Sequence, residues 1–184
     1  MSDAAPGFAR VAERAVYQGR IVTVAVGTFA GPDGSTFERD VVHHPGAVAV
    51  VPLLDDGRVV LVRQYRAPID RMLLEIPAGI RDVGGEPAEV TAQRELGEEV
   101  GLAARDLEWL CTFDNSAGFS DERVLVYLAT GLTPTEDAPQ GIEEQHMTIE
   151  RVALDDVDAL IARGELTDAK SVIGLTLARR RLGR

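Results

Sequence analysis

Between Gly79 and Leu102 the chain reads GIRDVGGEPAEVTAQRELGEEVGL, and three of its carboxylates, Glu95, Glu98 and Glu99, fall close together. Pro87, with φ already fixed near the helical value, suits the first position of a helix running to Val100, and Gly101 suits its stop. On such a helix Glu95 and Glu99 stand one turn apart, and Glu98 shares their face within an arc of roughly 100°. Like charges at this spacing oppose a helix by about 0.2–0.5 kcal/mol per pair, and Lys would normally answer them. Here only Arg94 is available. A hard divalent cation would turn the repulsion into attraction, because Mg²⁺ and Ca²⁺ take oxygen ligands. The alternative is a solvated acidic face. Glu86, eight residues ahead of Arg94, lies where a loop carboxylate can fold back and hold the guanidinium in a bidentate pair.

These acids need a scaffold, and the rest of the chain supplies its elements. Residues 1 to about 12 read as a frayed start. Ala15 to Ala30 reads as one strand, Gly31-Pro32-Asp33-Gly34 as a turn, and Ser35 to His43 as the returning strand of a hairpin. The Val-rich runs Gly46 to Leu54 and Arg58 to Gln64 flank Asp55-Asp56-Gly57, a second hairpin turn. A short strand at Met72 to Ile76 leads through Pro77-Ala78-Gly79 to the acidic helix. Strands follow at Leu107 to Phe113 and Arg123 to Thr130, then an acidic loop from Thr133 to Gln145 and a strand near Met147 to Val152. Helices close the chain at Leu154 to Arg163 and Thr167 to Leu182. Mixed strands with segregated helices predict an α+β sandwich.

Composition narrows the function. A chain of 184 residues, 45% of them hydrophobic, has material for one main domain with a small appendage. A formal net charge of −11 argues against a nonspecific nucleic-acid partner, which needs basic surface to displace counterions. The longest apolar run, Gly46 to Leu54, is too short for a membrane span, and the N-terminal residues lack the apolar core of a signal peptide, so a cytoplasmic location is expected. The single cysteine, Cys111, excludes an internal disulfide and reads as a small hydrophobe. His43, His44 and His146 belong to no ligand motif.

From Glu86 onward the residues match a known pattern. Glu86, seven residues, then Arg94-Glu95-Leu96-Gly97-Glu98-Glu99-Val100-Gly101-Leu102 resembles the Nudix box, G-x5-E-x7-R-E-U-x-E-E-x-G-U with U aliphatic. The departure is at the front, where six residues rather than five separate Gly79 from Glu86. Four further segments resemble one branch of that family, the bacterial ADP-ribose pyrophosphatases, and within it actinobacterial members that share the extra residue. They are Val62-Arg63-Gln64-Tyr65-Arg66, Glu75-Ile76-Pro77-Ala78-Gly79, Ala117-Gly118-Phe119-Ser120-Asp121-Glu122 and Gly141-Ile142-Glu143-Glu144-Gln145.

The resemblance implies an α/β/α sandwich around a mixed sheet over residues 45–184, preceded by an N-terminal β segment over 1–44 that swaps across a homodimer. It implies Glu95, Glu99 and the Ala78 carbonyl as ligands of Mg²⁺ or Mn²⁺, Glu98 as a secondary ligand or water holder, and Glu86 as partner of Arg94. A Glu on the loop before the strand at Met147 is the implied general base. Glu143 and Glu144 are both candidates, Glu144 being favoured by its spacing. Arg66, Glu75 and Glu122 resemble substrate contacts at the phosphate or terminal ribose. Gly118 and Phe119 belong to the loop that points to ADP-ribose, and Arg39 and Asp40 match positions reaching the adenine end from the partner subunit. The implied reaction is hydrolysis of ADP-ribose to AMP and ribose 5-phosphate. Its rivals are hydrolysis of another nucleotide sugar or dinucleotide, and a non-catalytic ADP-ribose sensor. An intact set of box acids and a short basic C-terminus speak against the sensor.

Overall fold

Ten strands and three helices emerge in a computed structural model that describes residues 7–135 and 146–183. The chain divides into two units, Met1–Gly46 with Asp114–Arg123, and Ala47–Phe113 with Val124–Arg184.

The first unit is an antiparallel meander of β1 (Ala9–Gln18), β2 (Thr23–Ala30) and β3 (Thr36–His43) in the order β1-β2-β3. The single strand expected from Ala15 to Ala30 is two strands. The Gly19 N–H reaches the Val22 carbonyl at 2.8 Å and reverses the chain there, a turn hidden by the apolar residues on either side. Ala9 to Ala12, expected to fray, are paired with β2. The Gly31–Gly34 turn forms where expected, with Asp33 Oδ1 accepting from the Ser35 N–H at 3.0 Å and its hydroxyl at 2.6 Å. The 114–123 segment runs beside β3: the Val42 N–H donates to the Phe119 carbonyl at 2.7 Å, and the Asp121 N–H to the Val42 carbonyl at 3.2 Å.

The second unit holds the acidic helix. β4 (Ala47–Pro52) lies in a four-stranded sheet ordered β7-β4-β9-β8, with β7 (Ala78–Ile80), β8 (Leu102–Asp114) and β9 (Arg123–Pro134). β4 pairs in parallel with β9 and antiparallel with β7, so the sheet is mixed. A second sheet, β10-β5-β6, contains β5 (Arg58–Arg66), β6 (Arg71–Glu75) and β10 (Thr148–Ala153). The expected turn at Asp55-Asp56-Gly57 is present, but it does not join partners of one ladder. Only a single bridge, Leu53 to Val59, links β4 to β5 before they separate into different sheets.

The run from Ala47 to Val51 is continuously apolar because both of its faces are covered. Val48 and Val50 join Ala88, Ala92, Leu96 and Val100 of α1 (Ala88–Val100) in one core. Ala49 and Val51 pack into the other, with Leu160 of α2 (Val157–Ala162) and Leu175 and Ala178 of α3 (Ala169–Arg181). Alternation along one strand thus separates two helix layers, giving the α/β/α sandwich. Pro87 is the cap residue before α1 rather than its first helical residue, with φ −59° and ψ 143°, so its extended ψ leaves Ala88 to begin the helix. Gly101 stops α1 as expected, in the left-handed region at φ 64°. Among the described residues no helix is long and apolar enough to cross a membrane.

Candidate active site

α1 is pinned by its apolar face, and this aims its acids at the turn between β6 and β7. Glu95 and Glu99 are 8% and 6% exposed, unusual burial for two carboxylates one turn apart. Glu99 Oε2 accepts the Ala78 backbone N–H at 3.0 Å. The Glu95 carboxylate lies on Gly79: a Cβ built there would stand 1.8 Å from Glu95 Cδ. Only a residue without a side chain admits this approach. Burial pushes the Glu99 carboxyl up to about 8; the neighbouring Glu95 adds to the rise, while the Ala78 hydrogen bond and the charges of Arg66 and Lys170 oppose it.

Arg94 threads the remaining acids. Its Nη1 donates to Glu95 Oε1 at 2.7 Å and to Glu98 Oε2 at 3.1 Å. Glu86 stands 3.6 Å from Nη2 and Asp82 3.9 Å. The bidentate Glu86–Arg94 pair is therefore replaced by a looser ion pair. The physical reason is competition: Glu86 Oε2 takes the Thr91 hydroxyl at 2.7 Å, and Arg94 lies along its own helix toward Glu95 and Glu98.

Among the described residues no three His, Cys, Asp or Glu side chains already stand as a ready-made metal cage. The donor chemistry nevertheless fits a hard cation. Two buried carboxylates meet the backbone at the start of β7, at Ala78 and Gly79, and burial disfavours ionised Glu99, a cost that a bound positive charge would remove. Of the expected ligands, Glu95 and Glu99 come together at Ala78 and Gly79, and Glu98 lies beside them on α1.

Arg66 and Glu75 are brought together with each other. Glu75 is fully buried, and Arg66 clasps it with Nε to Oε1 at 2.8 Å and Nη2 to Oε2 at 2.7 Å. Burial raises the Glu75 carboxyl, but Arg66 and Lys170 outweigh it and hold the group below the usual carboxylate range. Glu75 thus supports Arg66 and has no exposed surface for a substrate. Lys170 and Asp168, which complete this cluster, were not foreseen in the sequence. Lys170 is 95 residues from Glu75 and carries no local signal; Asp168 had a readable one, a helix-capping Asp ahead of α3.

In the first unit, Arg39, Asp40, Gly118 and Phe119 line one groove of about 210 Å³. Arg39 sits 4.8 Å from the centre of the Phe37 ring, and Phe119 is exposed. Glu122 is not in that lining; it accepts from Asn115 Nδ2 at 2.7 Å. Glu143 and Glu144 lie outside the described residues.

A helix whose buried acids converge on the start of a strand in an α/β/α sandwich is the arrangement of a Nudix-type hydrolase. Residues 43–173 match the NUDIX domain, and the chain belongs to the Nudix hydrolase family, whose members cleave nucleoside diphosphate derivatives and generally use divalent metal ions. Among its relatives, an ADP-ribose pyrophosphatase of Mycobacterium tuberculosis is 39% identical over 91% of this chain and 81% of its own. A methanol dehydrogenase activator of Bacillus methanolicus is 38% identical over 87% of this chain and 86% of its own. The fold is shared with a solved ADP compounds hydrolase at a TM-score of 0.84 and 24% identity, covering 99% of this chain and 97% of that one.

Proposed function

We propose that the chain is a Mg²⁺-dependent pyrophosphatase, with Mn²⁺ as a substitute, that hydrolyses ADP-ribose to AMP and ribose 5-phosphate. The observation that carries the reading is the burial of Glu95 and Glu99 against Ala78 and Gly79 at the start of β7. The relative named ADP-ribose pyrophosphatase supports the choice of substrate.

Each residue then has a task. Glu95, Glu99 and the Ala78 carbonyl hold the cation, and Glu98 is a further ligand or holds water. A divalent cation there neutralises the diphosphate and acidifies water. Arg94, with Glu86 behind it, keeps Glu95 and Glu98 in place. Arg66 offers the guanidinium edge not engaged by Glu75 to a phosphate or the terminal ribose. Glu144, or Glu143 in its stead, takes the proton from the attacking water. In the homodimer, Arg39 and Asp40 reach the adenine end from the second subunit, and Gly118, Phe119 and Glu122 are the further residues proposed for substrate recognition.

The working form in this reading is a homodimer formed through the N-terminal β segment. β1 is an edge strand, and Phe8, Val11, Val16 and Tyr17 are exposed on and beside it, an apolar edge that a second copy would cover. Light scattering that returns a monomer would remove this part of the proposal.

A substrate panel with Mg²⁺ and product identification tests the assignment. Preference for a non-adenine nucleotide would overturn the substrate but leave diphosphate hydrolysis standing. Glu144→Gln is expected to lower turnover and spare affinity; if Glu143→Gln is the severe variant, the base is Glu143. The regulatory reading has the relative named methanol dehydrogenase activator in its favour. Protein that binds ADP-ribose with Mg²⁺ and releases no AMP would establish it over the enzyme.

A further inference from the structure

A part-buried polar chain, with Glu75 and Ser171 fully buried, links the start of α3 to Arg66. Asp168 caps α3, its Oδ2 accepting from the Ser171 N–H at 3.0 Å and the Ser171 hydroxyl at 2.5 Å. The same Ser171 hydroxyl oxygen accepts the Ile76 backbone N–H at 2.8 Å, fastening α3 to the residue before the Pro77-Ala78-Gly79 turn. Lys170 Nζ stands 3.0 Å from Asp168 Oδ2 and donates to Glu75 Oε2. Glu75 in turn holds Arg66 by two hydrogen bonds.

Two cations on one fully buried carboxylate are more than a simple ion pair needs. Arg66 alone could satisfy Glu75 with its fork. An Arg that was the sole partner of Glu75 would have its positive charge largely cancelled by it. With Lys170 as a second cation, the Arg66–Glu75–Lys170 group carries a net positive charge. Asp168 balances that charge from the far side, beside Lys170 and not beside Arg66 in the hydrogen-bonding order. The four groups together are neutral, and the most accessible of them is Arg66, whose side chain is 38% exposed while that of Glu75 is wholly buried. Lys170 also fixes the second Glu75 oxygen, which removes the freedom of the carboxylate to rotate away from the guanidinium.

We propose that Lys170 is a positioning residue that acts through Glu75 to hold Arg66 as an anion clamp for the diphosphate of the substrate. The proposal rests on the reading of the site as one for nucleoside diphosphate derivatives. Lys170 touches no substrate; it fixes the Glu75 carboxylate that sets the angle of the guanidinium that does. Such uniform binding is expressed in KM rather than kcat.

A double-mutant cycle tests it, because residues acting along one chain are not additive. Inorganic pyrophosphate with Mg²⁺ is titrated calorimetrically into wild type, Arg66→Ala, Lys170→Met and the double variant. The expected result is about tenfold weaker binding for each single variant and no further loss in the double, since Lys170 has nothing to position once Arg66 is gone. KM for ADP-ribose should rise in parallel, with kcat within about threefold of wild type. Unchanged pyrophosphate affinity in Lys170→Met, losses that multiply in the double variant, or no pyrophosphate binding by wild type would each overturn the proposal. If Lys170→Met fails to fold, Lys170→Gln, which keeps a donor on a shorter stem, takes its place with a loss expected in the same direction. Wild type that binds pyrophosphate and gives this cycle but leaves ADP-ribose intact would overturn the substrate reading and leave the clamp standing.

Discussion

Replacing Gly79 by Ala separates the chemistry of the site from its stability. The new Cβ would lie 1.8 Å from Glu95 Cδ and 2.1 and 2.2 Å from its two oxygens. Ordinary contact between carbon atoms is ~3.5–4.0 Å, so the carboxylate must withdraw by roughly 1.7–2.2 Å. It can do so by rotating, at a cost of about 0.5–1.5 kcal/mol for an off-rotamer angle, and losing Gly from a strand returns about 0.5–1 kcal/mol. The net change in stability should stay within about 1 kcal/mol, a shift of about 2–4 °C in a chain of this size. Function has no such compensation. A misplacement of about 1 Å in a reacting constellation costs on the order of 10²-fold in rate, equivalent to about 2.7 kcal/mol of barrier. Thermal melting and Mg²⁺-dependent release of AMP from ADP-ribose, measured on the same preparation, are the assay. A variant that melts normally and keeps kcat within about threefold of wild type would refute the claim that Glu95 works from its position on Gly79.

Glu99→Gln should abolish most turnover and yet raise the melting temperature of EDTA-treated protein at neutral pH. The buried Glu99 carboxyl, pushed up to about 8, must hold a proton in the folded state that the unfolded chain would release, and Gln carries no such cost; an unchanged or lower melting temperature would contradict this. Ser171→Ala should cost about 1–3 kcal/mol in urea unfolding, because it leaves the buried Ile76 N–H without its acceptor; a neutral result would show that another group replaces it. His43 bridges Asp121 at 2.5 Å and Glu13 at 3.0 Å through its two ring nitrogens, an arrangement that both nitrogens can satisfy as donors only when the ring is charged. Its pKa is raised by the hydrogen bond to Asp121, against burial and with help from Glu13. The stabilisation is therefore complete below its ordinary value of about 6.5 and is lost as pH rises through the folded value. Hydrogen exchange across β1 and β3 should speed up over that interval beyond the intrinsic pH effect, and His43→Gln should remove the extra dependence; the same dependence in the variant would discount the bridge.

The two hairpin expectations show where local sequence stops being informative. Asp55-Asp56-Gly57 correctly marked a turn, but a turn fixes only the local reversal, and whether the strands beyond stay paired depends on what covers their faces. α1 covers Val48 and Val50 while α3 covers Ala49 and Val51, and these distant helices set the sheet that β4 joins. The Gly19–Val22 turn is illegible for the opposite reason: Gly19-Arg20-Ile21-Val22 carries no Asn-Gly or Pro-Gly signal, and the reversal rests on a backbone hydrogen bond.

By itself the sequence determined the acidic helix, its stop at Gly101 and the common face of Glu95, Glu98 and Glu99, because helical periodicity and a glycine stop are properties of neighbours along the chain. It also determined the family, through the spacing of Glu86, Arg94 and the acids that follow. Only the tertiary structure decided that Glu86 bonds Thr91 while Arg94 lies along its helix, that Glu75 supports Arg66 from a fully buried position, and that Lys170 stands behind them both. Those choices depend on which donor reaches a carboxylate at the shorter distance in a space walled off from water, where an unpaired charge is costly. Distance through space between residues far apart in the chain is set by packing.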